Sequence, residues 1–518
     1  MGIPKKIIIN SLTIIILIVA GYYFHIVPLL GYGLETIPGD FGDGRFVNYG
    51  LEHCYLFFTR QVEFFWSAGF YYPFKNTFAI SDNMLGTAPI YSVFRVLKYD
   101  RETAYQFWIV VLFIFNFISS TFIFYKITGD LSIAAIGGFI FTFNISMFGQ
   151  YYHLQMLPRF PVPIAIYFSI EFIKTKKIKY YTIFIFAVVY QFYCGIYLGF
   201  FLLLALLLIF LISLIIDYKS YIHVLKNYKY LLKLFLISFS AIVLMLILML
   251  PYYEWSKQLG SRQFFEVKDS IPTINSYLFS INGTLIWHWL ENTYKFSSIW
   301  WDHLLFPGGI ALISFFSTLL LFRKIYTETY KYYLFGFLLL FVFTLNIYEF
   351  TFYKIIFILP GFNSIRSLGR VINIEVFFFA FFVVIMLQYI SLRIKYKYIF
   401  LGFVLIITLL DQAIIEKPYP TYNKIEAQNR IARLVEKAKS ITNEKCFAYC
   451  PVTKTEPVYF YHIDAMLLSQ KIKLPTVNGY SATCPDYICN FITTLDTTTL
   501  YQWITLNNIP KDKIFIIK

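Results

Sequence analysis

The residues best placed for chemistry are Asp40 and Asp43, three positions apart in Pro38-Gly39-Asp40-Phe41-Gly42-Asp43-Gly44-Arg45-Phe46. The glycines permit a tight backbone, so both carboxylates can approach one centre. A carboxylate held there could take the proton from an acceptor hydroxyl or bind a divalent cation. The plainer alternative is an Asp-Gly turn that caps the next helix, and the spacing weighs the two evenly. Arg45, His53 of Leu51-Glu52-His53, and Asp82 of Ser81-Asp82-Asn83-Met84-Leu85-Gly86-Thr87-Ala88-Pro89 are further polar candidates in the same segment. For Asp82 a helix cap competes with a place in the shared cavity.

Arg366 and Arg370 form a second group, four residues apart ahead of an apolar run. On a helix they would share a face, and paired guanidinium groups suit bidentate phosphate contact. Anchoring to lipid headgroups is the competing role. His153 and Gln155, in Tyr151-Tyr152-His153-Leu154-Gln155, could hydrogen-bond a sugar or phosphate, although a lone histidine is more often a structural donor. Farther on, Glu254, Arg262, Trp287, His288, Trp289, Trp301, Asp302 and His303 are of the kinds that could stack on and orient a sugar, although tryptophans at a membrane interface are equally expected as belt residues and that reading is preferred. His288, Asp302 and His303 have no metal-ligand spacing, so no metal ligands are assigned; a divalent cation at the aspartates stays open.

What must position these groups follows from composition. Of 518 residues 58% are hydrophobic, 21% aromatic and only 14% charged. Too little polar surface remains to solvate several soluble domains, and apolar runs reach the roughly twenty residues a bilayer core demands. The expected fold is an all-α polytopic membrane domain of about eleven helices, beginning with a retained anchor over 7–30. Later runs fall at about 105–125, 132–149, 156–173, 180–194, 195–216, 232–252, 304–322, 332–349, 371–392 and 398–416. Glu171, Glu375 and Asp411 lie near span ends and read as interfacial or locally paired charges. The net charge of +15 sits in short clusters between runs, which speaks for topology and against nucleic acid.

Lys5 and Lys6 precede the first run. Alternate connections then carry Lys126; Lys174, Lys176, Lys177 and Lys179; Lys219, Lys226, Lys229 and Lys233; Arg323, Lys324 and Lys331; and Arg393, Lys395 and Lys397. The positive-inside rule makes these cytoplasmic, with the N-terminus. Polar material gathers opposite: loops over 31–104 and 253–303, a short one near 350–370, and a tail. The expected division is therefore a membrane domain over 1–416 and a small extracytoplasmic α/β or α+β domain over 417–518, with a helix at 424–440 and a strand within 445–452. The aromatic stretch Phe70-Tyr71-Tyr72-Pro73-Phe74 reads as interfacial helix at headgroup depth. In the tail, Cys446, Cys450, Cys484 and Cys489 allow three disulfide connectivities, favoured outside the cytoplasm over a zinc ribbon.

Taken together, the multiple spans, the acidic motif Gly39-Asp40-Phe41-Gly42-Asp43 just past the first helix and the outer tail resemble the GT-C type membrane-integral glycosyltransferases. The segment Leu359-Pro360-Gly361-Phe362-Asn363-Ser364-Ile365-Arg366-Ser367-Leu368-Gly369-Arg370 is similar to one in uncharacterised bacterial members of that set. The resemblance implies a sugar donor on a polyprenyl phosphate, a cell-envelope glycan or lipid acceptor, the outer face of a bacterial inner membrane, and Asp40 or Asp43 as base or metal-linked residue. Membrane lipids are the other expected partners. A non-catalytic transporter or assembly factor for envelope polysaccharide is the competing class, and it predicts polar residues running through the spans.

Overall fold

The computed structural model describes residues 5–260, 262–296, 299–325, 327, 329–416, 420–481, 484 and 486–518. The boundary expected at 417 lies outside the described residues. Among these, seven helices are long and apolar enough to cross a membrane: Lys6–Leu30, Arg101–Thr128, Leu131–Gln150, Leu154–Thr175, Ile196–Ile216, Tyr228–Leu259 and Leu368–Ser391. The chain is a multi-pass helical membrane protein. The remaining apolar runs fold as shorter helices, Ile178–Cys194, Gly309–Leu320, Tyr330–Thr344 and Lys397–Gln412. The shortest has 12 residues. At the helical rise it covers about 18 Å of a hydrocarbon core roughly 30 Å thick.

Helix ends are set by local chemistry. Asp100 caps Arg101–Thr128 by accepting from Thr103 N at 2.9 Å, and Gly129 ends that helix in the left-handed region. Asp130 then caps the next helix through Ser132 N at 3.1 Å. The core helix Ile372–Ser391 is buried along nearly its whole length by apolar neighbours. The long helix Tyr228–Leu259 instead turns Phe235, Phe239, Ile242 and Ile247 outward, a surface that only lipid would cover favourably.

The lysine-bearing connections meet in pairs. Lys397 Nζ reaches the Asp130 carboxylate, Gln388 Nε2 donates to Thr128 O, and Lys176 lies 3.8 Å from Asp217 while its carbonyl accepts from Tyr230 OH. The acidic and arginine-bearing segments are brought together at the other ends of the same helices.

There the loop after the first helix and the C-terminal segment build one body. Strand β1 (Thr36–Pro38) pairs antiparallel with β2 (Thr421–Asn423), in register Thr36 with Asn423. Tyr71 N and Tyr72 N donate to the carbonyls of Asn478 and Thr476, and Thr476 N returns a bond to Gly69 O. Phe70 and Tyr71 are consequently buried inside this body in turns instead of a helix, which corrects the interfacial-helix expectation: Tyr71 OH meets Ser481 Oγ of the tail at 3.0 Å, and Phe70 packs edge-on against Tyr49 and Tyr71. Within the tail the helix Lys424–Ala438 precedes β3 (Cys446–Tyr449), which pairs in parallel with β4 (Ile514–Ile517). Cys484 and Cys489 are disulfide-bonded, whereas Cys446 and Cys450 are buried free thiols.

The strongest tie between loop and tail is ionic. Arg45 Nη1 meets Asp464 Oδ1 at 2.5 Å, Arg45 Nη2 donates to Phe460 O, and Arg430 Nε takes the second Asp464 oxygen at 2.6 Å. The side chains of Arg45 and Asp464 are only 3% and 1% exposed, so removing one partner strands a charge out of water. Arg45→Ala is expected to cost about 3–5 kcal/mol, measured by chemical denaturation of the detergent-solubilised protein. A loss below about 0.5 kcal/mol, the range of an exposed pair, would contradict this.

Candidate functional site

Asp40 and Asp43 lie in a loop that the tail closes. Gly39 adopts a positive φ of 94°, and its N donates to Pro420 O at 3.0 Å. A side chain at Gly42 would overlap the Tyr459 ring, with a Cβ only 2.3 Å from it. That absence of bulk lets the tail approach. Asp40 uses both oxygens: Oδ1 accepts from Gly42 N at 2.8 Å and Oδ2 from Tyr459 OH at 2.7 Å. Asp43, the first residue of helix Asp43–Phe58, accepts from Tyr480 OH at 2.7 Å through Oδ1. Its Oδ2 lies 3.6 Å from His153 Nδ1 and is otherwise uncommitted among the described residues.

The arginines arrive from a separate segment. Ser367 Oγ donates to Asp302 Oδ1 at 2.6 Å, while Leu368 N and Gly369 N donate to Ser270. A Cβ at Gly369 would lie 1.9 Å from Asp302 O, so only glycine allows this seat. The chain through Ile365 and Ser367 is extended, and Arg370 sits in a short 3-10 turn ahead of Ile372–Ser391. The shared helical face expected for Arg366 and Arg370 is therefore not formed: bonding to the 269–302 loop outcompetes helix here. Both cations nonetheless act on Asp43 and on His153. Arg366 N donates to Tyr197 OH at 3.0 Å, and the Arg370 guanidinium lies over the Tyr197 ring at 4.8 Å. Arg366 is exposed, Arg370 Nε is buried without a partner, and neither guanidinium is ion-paired among the described residues.

No family model and no curated protein matches this chain. What the site can do is therefore read from its own geometry. Burial holds the Asp43 carboxyl above the usual carboxylate range; Tyr480 opposes that shift, Asp40 adds to it, and Arg370 and Arg366 oppose it. Burial, then Arg370 and Arg366, push His153 well below the ordinary imidazole value, so it is neutral at physiological pH. The result is a carboxylate with one oxygen not hydrogen-bonded among the described residues, beside a neutral imidazole and two guanidinium groups that lack an ion-pair partner among those residues.

A divalent cation fits this set poorly. Both Asp40 oxygens already accept a hydrogen bond, and Asp43 Oδ2 and His153 stand in the field of two guanidinium groups, whose charge opposes a cation. Among the described residues no cluster of three His, Cys, Asp or Glu side chains could hold a metal ion.

Of the other expected site residues, Asp82 stands at the edge. Its Oδ1 accepts from Ile196 N at 2.5 Å, capping the helix that carries Tyr197, and it feels the charge of Arg370. Gln155 turns its backbone toward Gly195, and its side-chain oxygen is buried without a partner. Arg45 and His53 are not in the site. Arg45 is consumed by Asp464, and His53 Nε2 bonds Phe65 O at 2.6 Å beneath the Phe65 and Phe78 rings. Asp302 and His303 likewise serve structure, the histidine through Ser276 Oγ at 2.7 Å. Sequence reasoning passed over Tyr197, Tyr459 and Tyr480.

Asp82 supplies a pH test. Burial raises its carboxyl to about 6, against the Ile196 N bond and Arg370, which lower it. A raised carboxylate value means the folded state holds the proton more tightly, so this contribution to stability is present at low pH and lost as pH rises through about 6. Asp82→Asn keeps an oxygen for Ile196 N and removes the buried charge. It should therefore melt higher than the parent at pH 7.5 by an amount corresponding to roughly 1–3 kcal/mol, with the difference shrinking at pH 4.5. Equal melting at both pH values would refute the assignment.

Proposed function

We propose that this chain is a membrane glycosyltransferase of the GT-C type, moving a sugar from a polyprenyl-phosphate donor to a cell-envelope glycan or lipid acceptor. In this reading all eleven apolar helices span or re-enter a bacterial inner membrane. The N-terminus is cytoplasmic, and the loop and tail body lies at the outer face. Sidedness is supported by the basic residues in the alternate connections.

The observation that carries the reading is the free oxygen of Asp43 beside two guanidinium groups that have no ion-pair partner among the described residues. In an inverting transfer, Asp43 Oδ2 takes the proton of the acceptor hydroxyl as its oxygen attacks the anomeric carbon. The bond from that carbon to the donor phosphate oxygen breaks, and its electron pair leaves on the phosphate. Arg366 and Arg370 take up that charge, since guanidinium suits phosphate geometry. Neutral His153 can donate to a phosphate or sugar oxygen without competing for the proton. Asp40 is assigned to shaping the loop, because both its oxygens are occupied.

The test separates the two carboxylates. Asp43→Asn should lower transfer, assayed as glycan or lipid product in cells that depend on this protein, by roughly 100-fold or more. Asp40→Asn should lower it far less. Undiminished product from a normally folded Asp43→Asn protein would defeat the catalytic assignment, and accumulation of untransferred substrate with every variant alike would favour an assembly or transport role.

A further inference from the structure

The two tyrosines on the carboxylates come from the tail, more than four hundred residues along the chain, and each bonds one aspartate only. Tyr459 OH donates to Asp40 Oδ2 and Tyr480 OH to Asp43 Oδ1, both at 2.7 Å. Their rings stack with centroids 5.7 Å apart and planes 28° apart, so neither phenol swings independently. Phe46, one turn beyond Asp43 on its helix, meets the Tyr480 ring edge-on at 5.5 Å. The backbone behind Tyr480 is fixed as well. Asn478 accepts from Tyr449 N, donates to Tyr449 O, and receives Tyr71 N through its carbonyl.

We infer that Tyr480, delivered by the C-terminal segment, is the positioning residue of Asp43: it claims Oδ1 and so presents Oδ2 to the side where His153 and the two arginines stand. The inference rests on the reading of Asp43 as the base. It assigns the tail a working part in the site, since the hydrogen bond that aims the reactive carboxylate is supplied by no residue of the membrane-spanning helices. A phenol donor suits this role. It stabilises the charged carboxylate without adding a charge that would bind the donor phosphate in the wrong place.

The groups facing Asp43 are Asp40 on its own loop, Tyr105 from the helix beginning at Arg101, His153, Arg366 and Arg370, and Tyr459 and Tyr480 from the tail. Tyr480 is the member of this set hydrogen-bonded to the carboxylate.

A hydrophobic carbodiimide reacts with protonated carboxyls, so the pH dependence of Asp43 labelling, read by peptide mass spectrometry on the full-length protein in detergent, reports its ionisation without any sugar donor. Tyr480→Phe removes a hydrogen bond to the charged form. The labelling midpoint should rise by about one pH unit, giving about tenfold more label at a fixed pH above it. Tyr459→Phe, which frees Asp40, should move the Asp43 midpoint much less. Substituting a 3,5-difluorophenol ring at Tyr480, a stronger donor of the same shape, should move it down and keeps the test open if Tyr480→Phe folds poorly. An unchanged midpoint in both Tyr480 variants would overturn the inference while leaving the transferase reading standing. A fully active Asp43→Asn protein would instead remove the reading of Asp43 as the base, and the role of Tyr480 in aiming it, whatever the labelling midpoints show.

Discussion

Partial burial favours the protonated form of the Asp43 carboxyl, and one phenol together with the field of two arginines opposes that shift. Tyr480, Asp40 and the two arginines set that balance. Arg366 and Arg370 sit close enough to act on Asp43 yet make no pair with it, so their charge is left for something else. A salt bridge from either arginine to Asp43 Oδ2 would have used up both that oxygen and that cation. Asp40 is kept out of such a pairing by Gly42 N and Tyr459 OH.

Three separate stretches of chain must meet for this to happen, and each is seated by a close backbone approach. Gly42 admits the Tyr459 ring, Gly369 admits the Asp302 carbonyl, and Gly195 places the start of the helix Ile196–Ile216 beside Asp82. The buried Arg45–Asp464–Arg430 network fastens the tail over the loop. Its value is geometric. Such a network gains little net stability over apolar packing, but it fixes one arrangement of the two segments.

Much of the candidate site was legible because its residue types are scarce in an apolar chain. Asp40, Asp43, His153, Arg366 and Arg370 stand out in loops between hydrophobic runs, and the alternation of basic connections is what leads the sequence to be read with those loops on one side. Arg45 and His53 misled for the same reason. A polar side chain in such a loop is equally suited to a buried partner, and the partner of Arg45 lies 419 residues away, beyond any local pattern. Tyr459 and Tyr480 were hidden among 44 tyrosines. Nothing in spacing distinguishes a phenol that meets a carboxylate from one that packs. The relation of Arg366 to Arg370 was read as helical from its four-residue interval. The chain instead spends its hydrogen bonds on Ser270 and Asp302, a tertiary choice that local propensity does not encode.

Transfer at the outer face requires the joined loop and tail to lie on the extracytoplasmic side of the membrane. Labelling of single-cysteine variants in intact cells with a membrane-impermeant thiol reagent reads this directly, because Cys54, Cys194, Cys446 and Cys450 are buried and Cys484 is bonded to Cys489. Val452→Cys, at a tail position 82% exposed, should label at once, and Leu392→Cys, at a position 74% exposed beside Arg393, should label only after permeabilisation. The opposite pattern would place Asp43 and its arginines in the cytoplasm and contradict an outer-face transferase.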